Sequence, residues 1–142
     1  MGRSRGGLTT KIHALVDACG LPVKLILSEG QAWDGHTAHH LLCDVEPGSM
    51  VLADRAYDAD AIRQRIADKG AWANIPPMPQ RRFKPVFSKY LYRARNLVER
   101  FFNKLKHFRA VATRYDKYPE NYLAMIKLAS IRIWMRFNES VT

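Results

Sequence analysis

One stretch of the chain, YLYRARNLVERFFNKLKHFR, spaces four side chains so that together they can hold an anion beside a carboxylate. They are Tyr92, Arg95, Glu99 and Lys106. At about 100° per residue of an α-helix, the last three lie about 300°, 340° and 320° round from Tyr92, so all four share an arc of roughly 60°. A phenol, a guanidinium and an ammonium around one acid predict a metal-binding carboxylate presented to a phosphate backbone.

Asp54 is the best candidate for a second metal-binding carboxylate. It directly follows the apolar run 50–53, which lacks polar alternation and is therefore typical of a strand covered on both faces. Ligands of open α/β sheets bind beyond the carboxyl ends of such strands. Because Mg²⁺ takes oxygen ligands from one or two carboxylates and the rest from water and substrate phosphate, Asp54 and Glu99 together would suit it.

A plainer interpretation of these residues stays open at this point. Asp54 can be a solvated loop acid, and Glu99 can pair with Arg95 one helical turn away. A surface ion pair of this kind is worth only about 0–1 kcal/mol. Residue spacing alone does not separate the two interpretations.

The elements that position these residues alternate between β and α in the first half of the chain. TKIHALV and LPVKLILS flank a turn beginning at Asp17 and predict a β-hairpin. A helix is predicted from about Asp34, and a second helix, capped by Asp58 or Asp60, runs to about residue 69. A short strand is predicted over 72–75. This order favours an α/β sheet covered by helices.

The second half of the chain begins with a Pro-rich connector, IPPMPQRRFKP, which cannot be regular helix. Two long helices are predicted after it, over about 88–107 and 119–138. The first buries an apolar arc opposite the four chemical residues, formed by Leu91, Leu97, Val98, Phe101 and Leu105. We expect one domain over 1–142, with a flexible joint at 1–8, a partial sheet with helices at 9–75, the connector at 76–87 and a basic helical part at 88–142.

Charge is divided unequally along the 142 residues, whose formal net charge is +10. Residues 1–79 hold 8 Lys/Arg against 9 Asp/Glu, a net of −1, whereas residues 80–142 hold 15 against 4, a net of +11. A basic excess in one half, interleaved with aromatic residues, predicts a polyanionic partner such as DNA. A solubilising basic surface is the alternative.

Two cysteines, Cys19 and Cys43, stand alone without metal-ligand spacing, so a disulfide framework or zinc knuckle is not expected. We expect buried thiols. No apolar run approaches the roughly 20 residues of a membrane span. These features predict a soluble, cytoplasmic protein.

The spacing of the four opening residues resembles, without change, the Tyr-Arg-Glu-Lys signature of bacterial insertion-sequence DDE transposases. Three longer segments also resemble the insertion sequence 5 group of that superfamily: GRSRGGLTTKIHALVDACGLPV, VLADRAYDAD and YRARNLVERFFNKLKHFRAVATRYDK. The resemblance runs from Gly2 to about Trp134.

This resemblance implies a ribonuclease H-like mixed sheet with flanking helices and three metal-binding acids. Asp54 matches the second acid and Glu99 the third, and two Mg²⁺ or Mn²⁺ ions are implied. Such enzymes hydrolyse DNA at element ends and then join the freed 3′-hydroxyl to target DNA. Tyr92, Arg95 and Lys106 match the residues implied to hold terminal phosphates.

Other basic residues are further candidates for contacts with DNA. Arg100 lies on the signature helix, and Arg109 and Arg114 lie in the segment that follows it. For the last two, a solvated turn is the alternative. The resemblance also implies a homo-oligomer assembled on DNA and a location at the bacterial nucleoid.

The sequence departs from the family pattern at its start, because the family's first Asp lies upstream of GRSRGGLTTKIH. We expect neither Asp17, in a hairpin turn, nor Asp34, at a helix start, to replace it. The implied fold places the first strand between the second and the fourth, so two strand edges would stand unpaired. We therefore expect the isolated chain to be inactive and an upstream segment to supply the Asp. The chain would be the downstream product of two reading frames joined by frameshifting. A decayed or mis-started gene is the alternative.

Two other functions are compatible with these residues. One is a non-enzymatic DNA-binding fragment that competes with the full transposase. The other is a different ribonuclease H-like nuclease that cuts DNA without joining ends. Metal-dependent chemistry separates the first from a transposase, and strand joining separates the second.

Overall fold

The computed structural model of the 142-residue chain describes residues 3–4, 7–8, 10–29, 34–109, 111 and 118–141. The described elements form a mixed α/β architecture of three two-stranded sheets and several helices. The first sheet is a short antiparallel pair, β1 (Arg3–Ser4) with β2 (Gly7–Leu8). This pair falls within the joint predicted over 1–8, whose flexibility stays a prediction, as does the division into a single domain.

The predicted hairpin is present as β3 (Thr10–Val16) and β4 (Pro22–Glu29), which pair antiparallel. Asp17 makes the turn, because its Oδ1 accepts hydrogen bonds from the N–H groups of Cys19 and Leu21, each at 2.9 Å. Gly20 has φ +81°, a left-handed conformation that favours glycine. The Asp17 carboxylate therefore serves the turn, in line with its exclusion as a metal ligand.

A third sheet pairs β5 (Met50–Leu52) parallel to β6 (Trp72–Asn74). Helix α1 (Asp34–Leu41) and a 3-10 turn (Leu42–Asp44) precede β5. A 3-10 turn (Arg55–Tyr57) and helix α2 (Asp60–Asp68) connect the two strands. The two short strands and the helix between them lie where the sequence predicts them.

The predicted cap of α2 is wrong. Ala59 occupies the N-cap position and makes no side-chain cap hydrogen bond. Asp58 is not available because its buried carboxylate is bound by two arginines, Arg63 and Arg81. Asp60 is the first residue of the helix and pairs with Arg81.

The described strands do not form one mixed sheet, because β3 pairs with β4 and β5 pairs with β6, without a ladder joining the two pairs. That two strand edges stand unpaired for want of a central first strand stays a prediction. The ribonuclease H-like order of strands itself stays a prediction.

The first long helix of the second half is interrupted. Helix α3 (Lys89–Tyr92) leads into a 3-10 turn (Arg93–Arg95) and then α4 (Asn96–Lys106), so the prediction of one continuous α-helix over 88–107 is wrong in this detail. The C-terminal helix (Pro119–Val141) begins where predicted and extends three residues further. The connector contains neither helix nor strand, as its prolines predict.

Two apolar clusters form the core. In one, Phe101 and Leu105 of α4 pack with the C-terminal helix and the hairpin, and in the other α1 and α2 pack against β6 and Ile75. Of the predicted buried arc, Phe101 and Leu105 are buried, Leu97 and Val98 are half-buried, and Leu91 is 38% exposed. The prediction of burial is therefore wrong for Leu91, the first of these residues along the chain.

A groove of about 950 Å³ separates the two clusters. The strand β3 and residues 50–54 line it, and α4 contributes Leu97, Val98 and Phe102. Its walls are therefore mostly apolar, although Asp54, Arg95 and Glu99 also line it.

Neither cysteine is buried, which corrects that expectation: Cys19 and Cys43 are both exposed thiols outside any disulfide. Within the described ranges, the helices are too short or too polar to cross a membrane.

Candidate active site

The two predicted acids come from different kinds of element. Asp54 follows β5 and begins the 3-10 turn 55–57, in extended backbone conformation. Glu99 lies in the first turn of α4. Their side chains are 51% and 57% exposed, respectively, so both carboxylates can bind an ion from solvent.

Arg95 joins these two acids. Its Nη1 lies 2.8 Å from Asp54 Oδ1, and its Nη2 donates a short hydrogen bond to Glu99 Oε1. The pair between Arg95 and Glu99 is the i, i+4 contact that the plainer interpretation predicts. The same guanidinium also holds Asp54, which that interpretation does not predict, so the structure brings the two acids together.

Tyr92 completes the cluster. Its hydroxyl donates to Asp54 Oδ1 at 3.3 Å, and the Arg95 guanidinium carbon lies 5.6 Å from the centre of its ring. Burial raises the pKa of the Tyr92 phenol, as does the nearby Asp54 carboxylate, although Arg95 opposes the shift. Tyr92 therefore keeps its proton at neutral pH, and its hydroxyl can donate a hydrogen bond to an anion.

The other basic candidates lie outside this cluster. Lys106 ends α4, about 10 Å along the helix from Glu99. Arg100 and Arg109 are exposed, and Arg109 has an interaction of its own. Arg114 lies outside the described residues. The structure thus joins three of the four signature residues to Asp54 and leaves Lys106 apart.

The donor set fits a hard divalent ion in its chemistry, because exposed carboxylate oxygens are the ligands that Mg²⁺ and Mn²⁺ prefer. Among the residues that the structure describes, no three His, Cys, Asp or Glu side chains come together as a metal site. The described part of the site therefore offers two acidic ligands, Asp54 and Glu99.

Asp58 is the most constrained acid of the region, and the sequence analysis assigned it only as a helix cap. Its side chain is fully buried, Arg63 Nε and Arg81 Nε each lie 2.7 Å from its oxygens, and the Met78 N–H donates to it. Burial alone would raise its pKa, but the hydrogen bonds from Arg81, Met78 and Arg63 outweigh burial and lower the pKa to about 2. The carboxylate thus ties the turn after Asp54 to the connector.

Asn74 binds the far end of the connector. It is fully buried at the end of β6, its Nδ2 donates to the Ser88 carbonyl at 3.0 Å, and its Oδ1 accepts from the Ser88 N–H at 2.8 Å. Ser88 Oγ in turn accepts from Leu91 N–H and caps α3. A strand end therefore fixes the start of the helical segment that carries Tyr92, Arg95 and Glu99.

His13 aligns the hairpin with the same site. The imidazole is 4% exposed, with Nε2 2.7 Å from Ser28 Oγ and Nδ1 3.2 Å from the Tyr57 hydroxyl. Tyr57 lies in the turn that begins at Asp54. A buried histidine in a strand gives no sequence signal of such a partner, and neither does a single Asn. The same holds for Asp58, whose arginine partners lie 5 and 23 residues further along the chain.

Comparison with known proteins identifies the family to which the chain belongs. Residues 2–134 match the family described as Transposase DDE domain, and the chain belongs to that family of transposases. Over 130 residues it is 40% identical to a protein named as a transposase for insertion sequence element IS6501 of Brucella ovis, covering 91% of this chain and all of that protein.

A second relative is more distant. It is named as a transposase for insertion sequence element IS402 of Burkholderia cepacia and is 28% identical over 137 residues, covering 89% of this chain and 62% of the relative. No solved structure matches the chain. Membership among insertion-sequence DDE transposases, predicted from the signature, is confirmed, and placement in the insertion sequence 5 group stays a prediction.

Proposed function

We propose that Asp54 and Glu99 are two of the metal-binding acids of an insertion-sequence DDE transposase, which cleaves DNA at the ends of its element and joins those ends to target DNA. The observation that carries the proposal is the convergence of both acids on Arg95. An acid at a strand end and an acid on a helix meet at one point, beside donors that suit phosphate. A surface ion pair within one helix would not need Asp54.

Each side chain of the cluster has a distinct role in this proposal. Asp54 and Glu99 would hold Mg²⁺ or Mn²⁺, two ions in the complete site. Bound ions would lower the charge on the scissile phosphate and favour ionisation, first of water and then of a DNA 3′-hydroxyl. Tyr92 and Arg95, which now donate to carboxylates, would donate to phosphate oxygens at the element end.

The basic residues beyond the cluster would extend the contact with DNA. Lys106 would act as a point charge on a further phosphate, and Arg100, Arg109 and Arg114 would contact the backbone nearby. Such a protein would work at the bacterial nucleoid, as a homo-oligomer that brings two element ends together. The net charge of +11 over residues 80–142 supports DNA as the partner.

The groove supports an upstream segment as a second partner. The strands β3 and β5 have no ladder between them, and apolar side chains dominate the walls. An apolar strand placed there would pair with both edges and cover those walls. If that strand ended in an Asp, the acid would lie at the end of the groove where Asp54 and Glu99 meet.

The first test compares cleavage of element-end DNA with Mg²⁺ by this chain and by a longer chain carrying the upstream segment. We expect strand cleavage and joining only from the longer chain, since a third acid completes the site. Cleavage by the chain alone would contradict the requirement for the upstream Asp. Cutting without joining would favour a different nuclease.

The second test replaces the acid of α4 in the longer chain. Glu99→Gln should lower cleavage by at least about a thousandfold, because a metal ligand is lost, while DNA affinity changes less than about twofold, because a solvated carboxylate contributes little to phosphate binding. Glu120→Gln, an exposed acid at the start of the C-terminal helix, is the matched control and should retain activity. Persistent cleavage by Glu99→Gln would remove Glu99 from the metal site.

A non-enzymatic DNA-binding fragment that competes with the full transposase is the second candidate function, favoured by the basic surface alone. Both candidates predict DNA binding that weakens with salt, so salt dependence does not separate them. Metal-dependent cleavage of DNA by the longer chain separates the two candidates.

A further inference from the structure

The connector and the helical segment that follows it carry exposed aromatic and basic side chains. Phe83 is 81% exposed and Tyr90 is 75% exposed, although large rings are usually at least half covered. An arginine lies over each ring, with the Arg82 guanidinium 5.6 Å from the Phe83 centre and that of Arg93 5.7 Å from the Tyr90 centre. Together with Lys84 and Lys89, these residues form what we call the connector surface.

Charge on this segment has one sign. Residues 76–98 contain six Lys/Arg and no Asp/Glu. Two of the six are committed to carboxylates, Arg81 to Asp58 and Asp60, and Arg95 to Asp54 and Glu99. Within the described ranges, the four basic residues of the connector surface form no salt bridge, so their charge is available to an anionic partner.

The connector is held at both ends, so Phe83 between the anchors and Tyr90 just after the second anchor are displayed from a fixed backbone. Asp58 accepts from Met78 N–H and Arg81, and Asn74 exchanges two hydrogen bonds with Ser88. Such buried anchors reduce the entropy that the loop would lose on binding a ligand.

The connector contacts the candidate active site through Phe87. The Phe87 ring packs edge-on against Tyr92, with centres 5.2 Å apart. Tyr92 then donates to Asp54. The connector therefore borders the site that a DNA strand would enter.

We propose that the connector surface binds unpaired nucleotides of the DNA strand that enters the site of Asp54 and Glu99, with Phe83 and Tyr90 stacking on bases and the four basic residues contacting phosphates. The inference rests on the proposed function. A positively charged surface with interleaved exposed aromatics suits single-stranded nucleic acid, because every base presents a face to a ring whereas paired bases in a duplex do not.

The test measures binding by fluorescence anisotropy, with the full chain in EDTA so that no cleavage is involved. One probe is a blunt duplex of about 20 base pairs, and the other adds about six unpaired thymidines to one 3′ end. The doubly substituted variant Phe83→Ala, Tyr90→Ala should bind the overhang probe at least about thirtyfold more weakly, at about fivefold or more for each ring. Its affinity for the blunt duplex should stay within about twofold, since duplex binding depends mainly on phosphate contacts.

The variant Arg82→Gln, Lys84→Gln should weaken binding of the overhang probe and reduce the slope of its log affinity against log salt by about 1.4, at about 0.7 per phosphate of a single strand. Leu128→Ala removes an apolar side chain that is 67% exposed on the C-terminal helix, and it is the matched control for loss of an exposed apolar group. It should bind both probes as the natural chain does. All variants should keep the circular dichroism spectrum, because the replaced side chains are exposed.

The proposal would be overturned if the aromatic variant lost affinity equally for both probes, or lost affinity for neither. So would a shift from dimer to monomer with unchanged DNA affinity, which would assign the exposed rings to a second copy of the chain. The assay does not depend on Glu99, so a failure here is distinct from persistent cleavage by Glu99→Gln, which would overturn the proposed function.

Discussion

At the scale of single residues, Arg95 decides how the two acids are held. Its guanidinium pairs with both Asp54 and Glu99 and offsets one of their two negative charges, since its fork of N–H donors can engage two carboxylates at once. Lysine, a point charge, could not reproduce that geometry. Any divalent ion that takes both carboxylates must therefore compete with this arginine.

Replacing Arg95 tests that competition. In the chain alone, Arg95→Gln should tighten Mn²⁺ binding by up to about thirtyfold, because each of two exposed ion pairs contributes up to about 1 kcal/mol. Loss of the free Mn²⁺ signal in electron paramagnetic resonance measures the affinity. Lys104→Gln, an exposed cation on the same helix, is the control, and equal affinities of the two variants would contradict competition by Arg95.

Asp58 predicts a pH dependence of stability. Its pKa is lowered from 3.8 to about 2 in the folded chain, so it stabilises the fold above pH 3.8 and that stabilisation is lost as pH falls toward 2. The contribution is about 2 kcal/mol. Asp58→Asn should lower the free energy of unfolding by about 3 kcal/mol at neutral pH, since two arginines lose their buried partner.

Urea denaturation across pH 2 to 7 measures this effect. The difference between Asp58→Asn and the natural chain should shrink by about 2 kcal/mol at the acid end. Asp68→Asn, on the exposed side of α2, should change stability by less than about 0.5 kcal/mol. A difference for Asp58→Asn that is independent of pH would contradict an ionised, stabilising Asp58.

At the scale of elements, the signature segment depends on a contact that lies outside it. The 3-10 turn 93–95 separates Tyr92 from α4, so the stripe predicted for one ideal helix is not built by helical periodicity alone. Asn74 fixes where α3 begins, and Arg95 then fixes the segment against the turn after β5. Positioning of the acids is thus shared between strand ends and the connector.

Asn74→Ala should destabilise the chain more than Ser88→Ala. The first leaves the half-buried N–H of Ser88 without a partner and removes one of two donors from its carbonyl, which keeps the Tyr92 N–H, at about 2–4 kcal/mol in all. The second removes only the Oγ cap of α3, at about 1 kcal/mol. Urea midpoints measure both, and an equal loss in the two variants would show that the clamp on Ser88 contributes nothing beyond the cap.

At the scale of the whole molecule, the sequence predicts the elements better than their assembly. Alternation in TKIHALV and LPVKLILS predicts the hairpin, and the apolar run before Asp54 predicts β5, because local periodicity reports which faces are covered. Burial of Phe101 and Leu105 follows from helical spacing. Placement of Asp54 beside Glu99 was expected from the resemblance and from strand-end geometry.

What the sequence does not predict depends on partners distant along the chain. The burial of Asp58 between Arg63 and Arg81, and the contact of His13 with Tyr57, arise only when separate elements pack. The exposure of Leu91 and Cys19 departs from expectation for a related reason: an apolar residue or a thiol is buried only where another element lies over it. Local pattern carries no information about that covering.

The groove beside β3 also has a consequence for exchange of backbone amides with deuterated solvent. In a two-stranded antiparallel ribbon, successive N–H groups point alternately toward the partner strand and away from it. Along β3, the amides directed at β4 should therefore exchange slowly and those directed at the groove faster, a protection pattern with a period of two residues up to the register shift at Leu15 and Val16. Pairing of the groove edge with another strand would abolish that alternation, so the amides of β3 report directly whether the sheet has been completed.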